Sequence, residues 1–336
     1  MKRLCTPVLL LCAAAAALFG AGDARADGLP VLGIDDGASG VATVAGTARY
    51  VTLQDGRDTL VARVNPHGGQ VETFRLLAGT LTIPAVAYDG SPGGLSADGR
   101  RLVLIEPRTS FPRARTKLVV LDTESLRLLE TIDLKGDFSF DAVSPHGGFA
   151  YLIQYTSPTD PNVYLVRAFD LTAGRLLPTP VTDPREHADK MRGRPLTRVA
   201  SPDGRWAYTL YDGGSGTPFV HALDTASRSA HCIDLPLLKG SDELWQLHFR
   251  LDPSGRKLTL VNGSTPVLAI DTTTFAVGTP PPAPAHAPAV PGSGMPWLVI
   301  ALSILGGLAA AAAAVLVARR RGAAITRPVR SPARVS

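Results

Sequence analysis

The chain has 336 residues, of which 45% are hydrophobic and 19% charged, and it contains 33 glycines and 28 prolines. This composition excludes collagen, a coiled coil and wholesale disorder, because it supplies ample apolar material for a packed core. The net charge of +5 comes from the two ends, since residues 319–336 hold six arginines and no acidic residue, whereas residues 27–318 are net negative. A folded nucleic-acid binder is therefore disfavoured, and we expect no nucleic-acid partner.

Residues 1–26 have the layout of a secretory signal peptide. Lys2 and Arg3 give a positive start, residues 8–19 form an apolar run, and Ala-Arg-Ala at 24–26 is a small-x-small cleavage site. We expect this segment to be removed and the chain after it to be exported.

Residues 297–318 predict a transmembrane helix, because 22 consecutive residues carry no charge and about 1.5 Å of rise per residue gives roughly 33 Å, the thickness of a bilayer core. Three arginines follow at 319–321, and the positive-inside rule places that end in the cytoplasm. The sequence thus predicts a single-pass cell-membrane protein, with residues 27–296 outside and a basic cytoplasmic tail at 319–336. The alternative is a buried helix of a soluble core. The tail is expected to contact anionic lipid headgroups, with a cytosolic partner as the alternative.

A proline-rich segment at 279–296 separates the body from this helix. It contains seven prolines, a density that favours extended polyproline II and a semi-rigid stalk. The alternative is a proline-rich ligand for a partner domain.

The body, residues 27–278, contains a repeated turn sequence whose glycines are 48, 57 and 51 residues apart. Each turn precedes a short apolar run, and glycine readily takes positive φ, so each turn predicts a β-hairpin. The four turns are Ser96-Ala97-Asp98-Gly99-Arg100, Ser144-Pro145-His146-Gly147-Gly148, Ser201-Pro202-Asp203-Gly204-Arg205 and Asp252-Pro253-Ser254-Gly255-Arg256.

A second signal recurs with the same period. Apolar strands end in Asp122, Asp170, Asp224 and Asp271, and a threonine follows each within two residues. Such an aspartate can turn the chain by accepting hydrogen bonds from its own backbone amides, in an Asx-turn. With the flanking strand-like runs this makes four strands per repeat, and a degraded copy near Gly46 brings the number of repeats to five.

Four antiparallel strands at a period near 50 residues are typical of a β-propeller blade. We therefore predict an all-β fold, a β-propeller of about five four-stranded blades, plus the C-terminal transmembrane helix. The Ser-Pro-Asp-Gly-Arg turn at 201–205 and the Val-x-Ala-Leu-Asp-Thr strand exit at 220–225 resemble the TolB-like and YVTN-type propeller repeats. This resemblance covers residues 35–278 and implies the fold without a chemistry, because propellers include enzymes, scaffolds and receptors. The last repeat lacks a full outer strand after Phe275, and our hypothesis is that residues 29–34 supply it and close the ring.

Long loops at one end of the predicted blades form the expected binding face, because the connections between second and third strands and between blades share a face by geometry. Two of these loops, 107–116 and 183–195, are rich in cations that can hold a carboxylate or a phosphate. The alternative is a solvated loop with internal ion pairs. The candidate residues are Arg108, Arg113, Arg115, Arg185, His187, Lys190, Arg192 and Arg194.

The sequence predicts no catalytic, cofactor-binding or metal-binding residues and no cofactor. Cys232 is interpreted as a packing residue in a strand.

We expect a membrane-anchored extracytoplasmic propeller that binds another protein or an envelope ligand; a purely structural envelope component is a further possibility. The alternative is a propeller enzyme, lactonase-like or a metal-dependent hydrolase, with an axial-channel site. Clustered carboxylates or histidines in that channel would favour the enzyme, and small and apolar side chains the binding module. The polar candidates near that channel are Asp141, Arg198, His248 and Arg250.

Overall fold

A computed structural model describes residues 39–279 except 187–190 and 215. These residues form antiparallel strands in five sheets, together with two short 3-10 helices at Pro236–Leu238 and Leu244–Gln246. Within this part of the chain there is no helix of the length and apolarity that crossing a bilayer requires. The segments predicted as signal peptide, stalk beyond Thr279, transmembrane helix and tail lie outside the described residues, as does the ring-closing segment 29–34.

The strands of each sheet are neighbours in the order in which they follow along the chain. Sheet 1 contains β1 to β4, at Val41–Ala42, Arg49–Asp55, Asp58–Val64 and Val71–Ala78. Sheet 2 contains β5 to β7, at Arg101–Ile105, Arg115–Asp122 and Leu128–Lys135. Sheet 3 contains β8 to β11, at Phe138–Val143, Phe149–Tyr155, Tyr164–Asp170 and Arg175–Leu176. Sheet 4 contains β12 to β15, at Pro195–Ala200, Trp206–Tyr211, Phe219–Asp224 and Ser229–Asp234. Sheet 5 contains β16 to β19, at Leu247–Leu251, Lys257–Asn262, Thr265–Asp271 and Val277–Gly278.

The five predicted repeats are confirmed as five antiparallel sheets of a β-propeller, including the degraded first copy, which is sheet 1. Sheet 2 departs from the prediction, because its first position holds an irregular segment instead of a regular strand. There Leu95 pairs with Leu102 in an isolated bridge, and the Val103 amide donates to the Gly94 carbonyl oxygen. A Cβ on Gly94 would lie 2.3 Å from the Val103 carbonyl oxygen, so this close approach requires glycine.

The recurring aspartates form the predicted Asx-turns. Oδ1 of Asp224, for example, accepts hydrogen bonds from the amides of Ala226 and Ser227, both at 3.0 Å. The threonine that follows links this turn to the start of the same sheet, since Thr225 Oγ1 donates to the carbonyl oxygen of the turn glycine Gly204. Equivalent bonds join Thr123 to Gly99 and Thr272 to Gly255. The glycine turn and the Asp-Thr strand exit are therefore joined by the same hydrogen bond in three of the sheets.

Consecutive sheets pack face to face through four apolar clusters. Tyrosines four residues after the turn glycine add a polar contact at three of these interfaces. Tyr50 and Tyr151 donate through their hydroxyls to the carbonyl oxygens of Thr123 and Thr225 in the following sheet, at 3.4 and 2.7 Å. A side-chain hydrogen bond joins Tyr208 to Thr272 at the interface of sheets 4 and 5.

The connection between sheets 1 and 2 contains a small hairpin, residues 85–92, which we call the axial hairpin. Its base is closed by the bridge between Ala85 and Pro92. Its tip crosses to sheet 4, where the amides of Tyr88 and Asp89 donate to the carbonyl oxygens of Pro195 and Leu196 at 2.9 and 3.1 Å. Since β12 is the first strand of sheet 4, the hairpin covers an edge that would otherwise be open to pairing.

Candidate functional site

The first cationic loop of the expected binding face is anchored to a buried carboxylate. Arg108 Nε donates to Asp137 Oδ1 at 3.0 Å, and the Arg113 amide donates to Asp137 Oδ2 at 3.0 Å. Both partners of the Arg108–Asp137 pair are buried. The guanidinium of Arg108 also lies 4.7 Å from the centre of the Tyr155 ring. These two arginines therefore fasten the loop to the connection between β7 and β8.

The remaining candidates are placed separately. Arg115 pairs with Asp133 on the exposed surface of sheet 2. Arg185 Nη2 lies 2.5 Å from Asp183 Oδ2 and 2.9 Å from the Cys232 carbonyl oxygen. Burial raises the pKa of Asp183, but hydrogen bonds from Arg185 and from backbone amides outweigh it and lower that pKa to about 2.

Arg194 Nε donates to Asp212 Oδ2 at 2.8 Å, and Arg192 is exposed. His187 and Lys190 lie outside the described residues. The structure thus brings Arg108 and Arg113 together and distributes Arg115, Arg185 and Arg194 among other carboxylates. This arrangement matches the alternative of internal ion pairs, and a role in holding an anion stays a prediction.

A cluster that the sequence did not reveal lies where the axial hairpin meets the connection between sheets 4 and 5. The ring of Tyr88 contacts the ring of Trp245 edge to face, with 5.6 Å between centres. The guanidinium of Arg194 lies 4.9 Å from the centre of the Trp245 ring. Trp245 is 43% exposed, whereas burial raises the pKa of Tyr88 to about 12. We call these three residues the Tyr88 cluster.

Two members of the Tyr88 cluster are also held by polar contacts. The backbone of Tyr88 is bonded to β12, and Arg194 is paired with the buried Asp212. Trp245 lies in the second 3-10 helix, on the same connection as Leu237, which is 74% exposed. The cluster therefore presents an aromatic and cationic surface, and the connection that carries Trp245 also carries an exposed leucine.

A cavity of about 440 Å³ lies between the first strands of sheets 1, 3 and 4 and the axial hairpin. Small and apolar side chains make up most of its lining, including Val86, Phe140 and Val199. Its charged groups are Asp141 and Arg198, two of the polar candidates for an axial site.

Asp141 and Arg198 bond to each other in this cavity. The Arg198 guanidinium binds the Asp141 carboxylate, donates to the Asp141 carbonyl oxygen at 2.6 Å and donates to Thr209 Oγ1 at 2.7 Å. The other two candidates lie apart, because His248 faces Asp89 at 3.6 Å and Arg250 is exposed on β16. The described lining is therefore mostly small and apolar around one internal ion pair.

Cys232 and His221 face each other across β14 and β15, with 3.8 Å between Sγ and Nδ1. Burial raises the pKa of the Cys232 thiol to about 12 and lowers the pKa of His221 to about 4. Both groups are therefore neutral at pH 7, and the thiol has the character of a packing residue, as predicted. Among the residues that the structure describes, no group of three or more His, Cys, Asp or Glu side chains is placed to hold a metal ion.

No family model and no curated protein matches this chain. Among solved structures, hydrazine synthase of Kuenenia stuttgartiensis is 16% identical, with 77% of this chain and 68% of that chain covered and a TM-score of 0.43. A putative TolB from Agrobacterium tumefaciens is 17% identical, with 72% and 79% covered and a TM-score of 0.40. TolB from Acinetobacter baumannii is 18% identical, with 68% and 55% covered and a TM-score of 0.34. Because these scores lie below 0.5, the assignment of a propeller rests on the strand order of the five sheets.

Proposed function

We propose that the chain is a single-pass membrane protein whose extracytoplasmic propeller binds another protein through the Tyr88 cluster. The predicted signal peptide at 1–26 and the apolar segment at 297–318 support the location. The observation that carries the binding role is the partly exposed Trp245, fixed between the ring of Tyr88 and the guanidinium of Arg194.

Tryptophan, tyrosine and arginine are the residues that most often dominate the energy of protein–protein interfaces. In the Tyr88 cluster a backbone hydrogen bond holds Tyr88, the pair with Asp212 holds Arg194, and both side chains contact the Trp245 ring. A partner would therefore gain the contact without first ordering flexible side chains, and this lowers the entropic cost of association.

The chemistry of the surface indicates the kind of partner. Trp245 and Leu237 offer apolar area on one connection, and the exposed Arg192 lies two residues before Arg194 in the chain. Such a surface suits a protein segment with an apolar side chain flanked by a carboxylate.

The proposal is tested with a photo-crosslinking amino acid at position 237 of the full chain in its own membrane. We expect a discrete adduct whose yield falls at least tenfold in Trp245→Ala and in Arg194→Ala. Leu128→Ala is the matched control, because Leu128 is an exposed leucine on the outer strand of sheet 2. An adduct that forms equally in all of these variants would refute a role for the Tyr88 cluster.

A further inference from the structure

Sheet 1 has one apolar face that is exposed. In the strand register, Leu53 pairs with Leu60 and Leu60 with Leu76, while Val51 pairs with Ala62 and Ala62 with Phe74. Side chains alternate between the two faces of a sheet, so all of these residues lie on one face, which we call the outer face of sheet 1. Leu53, Phe74 and Leu76 are 61%, 65% and 52% exposed.

The opposite face of sheet 1 has a normal core. Tyr50, Val61 and Leu77 pack there against Leu102 and Leu121 of sheet 2. The four apolar clusters join sheets 1 to 2, 2 to 3, 3 to 4 and 4 to 5, and in the described ranges none joins sheet 5 to sheet 1. A contiguous row of large apolar side chains on a sheet face indicates a contact surface.

We infer that residues 29–34 of the same chain, Leu-Pro-Val-Leu-Gly-Ile, cover the outer face of sheet 1. The chain before β1 already lies against this face. Ser39 and Gly40 precede β1, and Arg49 Nη2 donates to the Ser39 carbonyl oxygen at 3.2 Å. A Cβ on Gly40 would lie 2.7 Å from Arg49 Nε and 3.0 Å from Val51 Cγ1, and both of these side chains belong to the outer face. The chain therefore enters sheet 1 directly against that face.

The chain between Ile34 and Ser39 is also long enough for the segment to extend across sheet 1. Four residues separate Ile34 from Ser39, and five steps of extended chain span up to about 17 Å. Strands in a sheet are about 4.8 Å apart, so β4 lies about 10 Å from β2. Ile34 and the residues before it can therefore reach Phe74 and Leu76.

The segment and the face are also chemically complementary. Four of the six residues at 29–34 are Leu, Val or Ile, which match the apolar row on sheet 1. Asp35 and Asp36 follow at once in the sequence, four and three residues before Ser39, whose carbonyl oxygen accepts a hydrogen bond from Arg49. Attraction of this acidic pair to the Arg49 guanidinium would direct the segment onto the face.

The test is disulfide mapping in the full chain with its own three cysteines replaced by alanine. Val31→Cys is combined in turn with Leu53→Cys, Phe74→Cys and Leu76→Cys, and we expect a bond within one chain in at least one pair. Val31→Cys with Val277→Cys is the matched control, because Val277 lies on the outer strand of sheet 5. A bond in this pair would instead support the hypothesis that residues 29–34 complete the last repeat. A bond only in this control pair, a bond only between two chains, or none in the three pairs would overturn the inference.

A second measurement does not depend on the geometry of any one cysteine pair. Hydrogen exchange of the amides at 29–34 is followed in the unmodified chain and in Phe74→Asp combined with Leu76→Asp. We expect exchange at least tenfold faster in the double variant and unchanged in Leu128→Asp. Equal exchange in the unmodified chain and in the double variant would contradict docking on this face.

Discussion

Thr225 Oγ1 donates a 2.8 Å hydrogen bond to the carbonyl oxygen of Gly204 and thereby closes the third strand of sheet 4 onto its first turn. The same hydroxyl lies 3.0 Å from the Arg205 carbonyl oxygen, and the Thr225 side chain is buried. This bond and its equivalents explain why a threonine directly follows the aspartate in sheets 2, 4 and 5.

Replacement of Thr225 by valine keeps the shape of the side chain and removes this bond. We expect a loss of about 1–2 kcal/mol in the free energy of unfolding, because the Gly204 carbonyl oxygen is left without this donor. Urea denaturation measures it. Thr172→Val is the control, since Thr172 is exposed and its replacement should change stability by less than about 0.5 kcal/mol. Equal effects of the two substitutions would contradict a role for the Thr225 bond.

Asp183 should make the fold more stable at neutral pH than in acid. Its pKa in the folded state is about 2, below the ordinary value of 3.8, so the stabilisation is fully present above pH 4 and is lost as the pH falls from about 4 towards 2. At pH 7 we expect Asp183→Asn to be less stable than the unmodified chain by up to about 2 kcal/mol. The difference should shrink in urea titrations carried out at successively lower pH. A constant difference between pH 7 and pH 3 would show that the charge of Asp183 is not responsible.

Burial of His221 should make the free energy of unfolding depend on pH in a higher range than Asp183 does. Burial lowers its pKa in the folded state to about 4 from the ordinary value of 6.5. Between these values the unfolded chain binds a proton that the folded chain does not, so the free energy of unfolding falls as the pH drops from 6.5 to 4, by up to about 3 kcal/mol. In His221→Gln this slope should disappear, whereas in a variant of the exposed His146, His146→Gln, it should persist. If His221→Gln kept the full slope, the protonation of another group would be its cause.

Gly94 should tolerate no side chain. Its φ is +92° and an added Cβ would lie 2.3 Å from the Val103 carbonyl oxygen, so Gly94→Ala combines backbone strain with a steric clash and should cost about 3 kcal/mol or more. Gly90 also has positive φ, +79°, but an added Cβ meets nothing within 4 Å. Gly90→Ala should therefore cost only the backbone term, about 1–2 kcal/mol. Thermal unfolding of both variants tests the difference, and similar midpoints would count against the close approach at Gly94.

The repeat could be predicted from the sequence because its determinants are local. A turn such as 201–205, and the Asp224–Thr225 strand exit, direct the chain through contacts within one sheet. The irregular first position of sheet 2 was not predicted, since Gly93 and Gly94 break the strand pattern and pairing there depends on a close approach to Val103.

The Tyr88 cluster could not be predicted in the same way. Tyr88 reaches Trp245 only because the axial hairpin crosses from the connection between sheets 1 and 2 to sheet 4, and no local pattern encodes that crossing. The cationic loop was recognisable by composition, but its partner was not. Arg108 and Asp137 are 29 residues apart, so their pairing follows from the packing of sheets 2 and 3.

The axial hairpin also sets an order on assembly. Ser91 Oγ donates to the Arg198 carbonyl oxygen, a contact between residues 107 positions apart in the chain. A ribosome adds about 5–20 residues per second, so a nascent chain waits several seconds between making the hairpin and making the strand that receives it. During that interval the axial hairpin between sheets 1 and 2 lacks the strand to which it bonds. The hairpin therefore cannot reach its final contacts before β12 is present, and a chain cut short before β12 cannot make them.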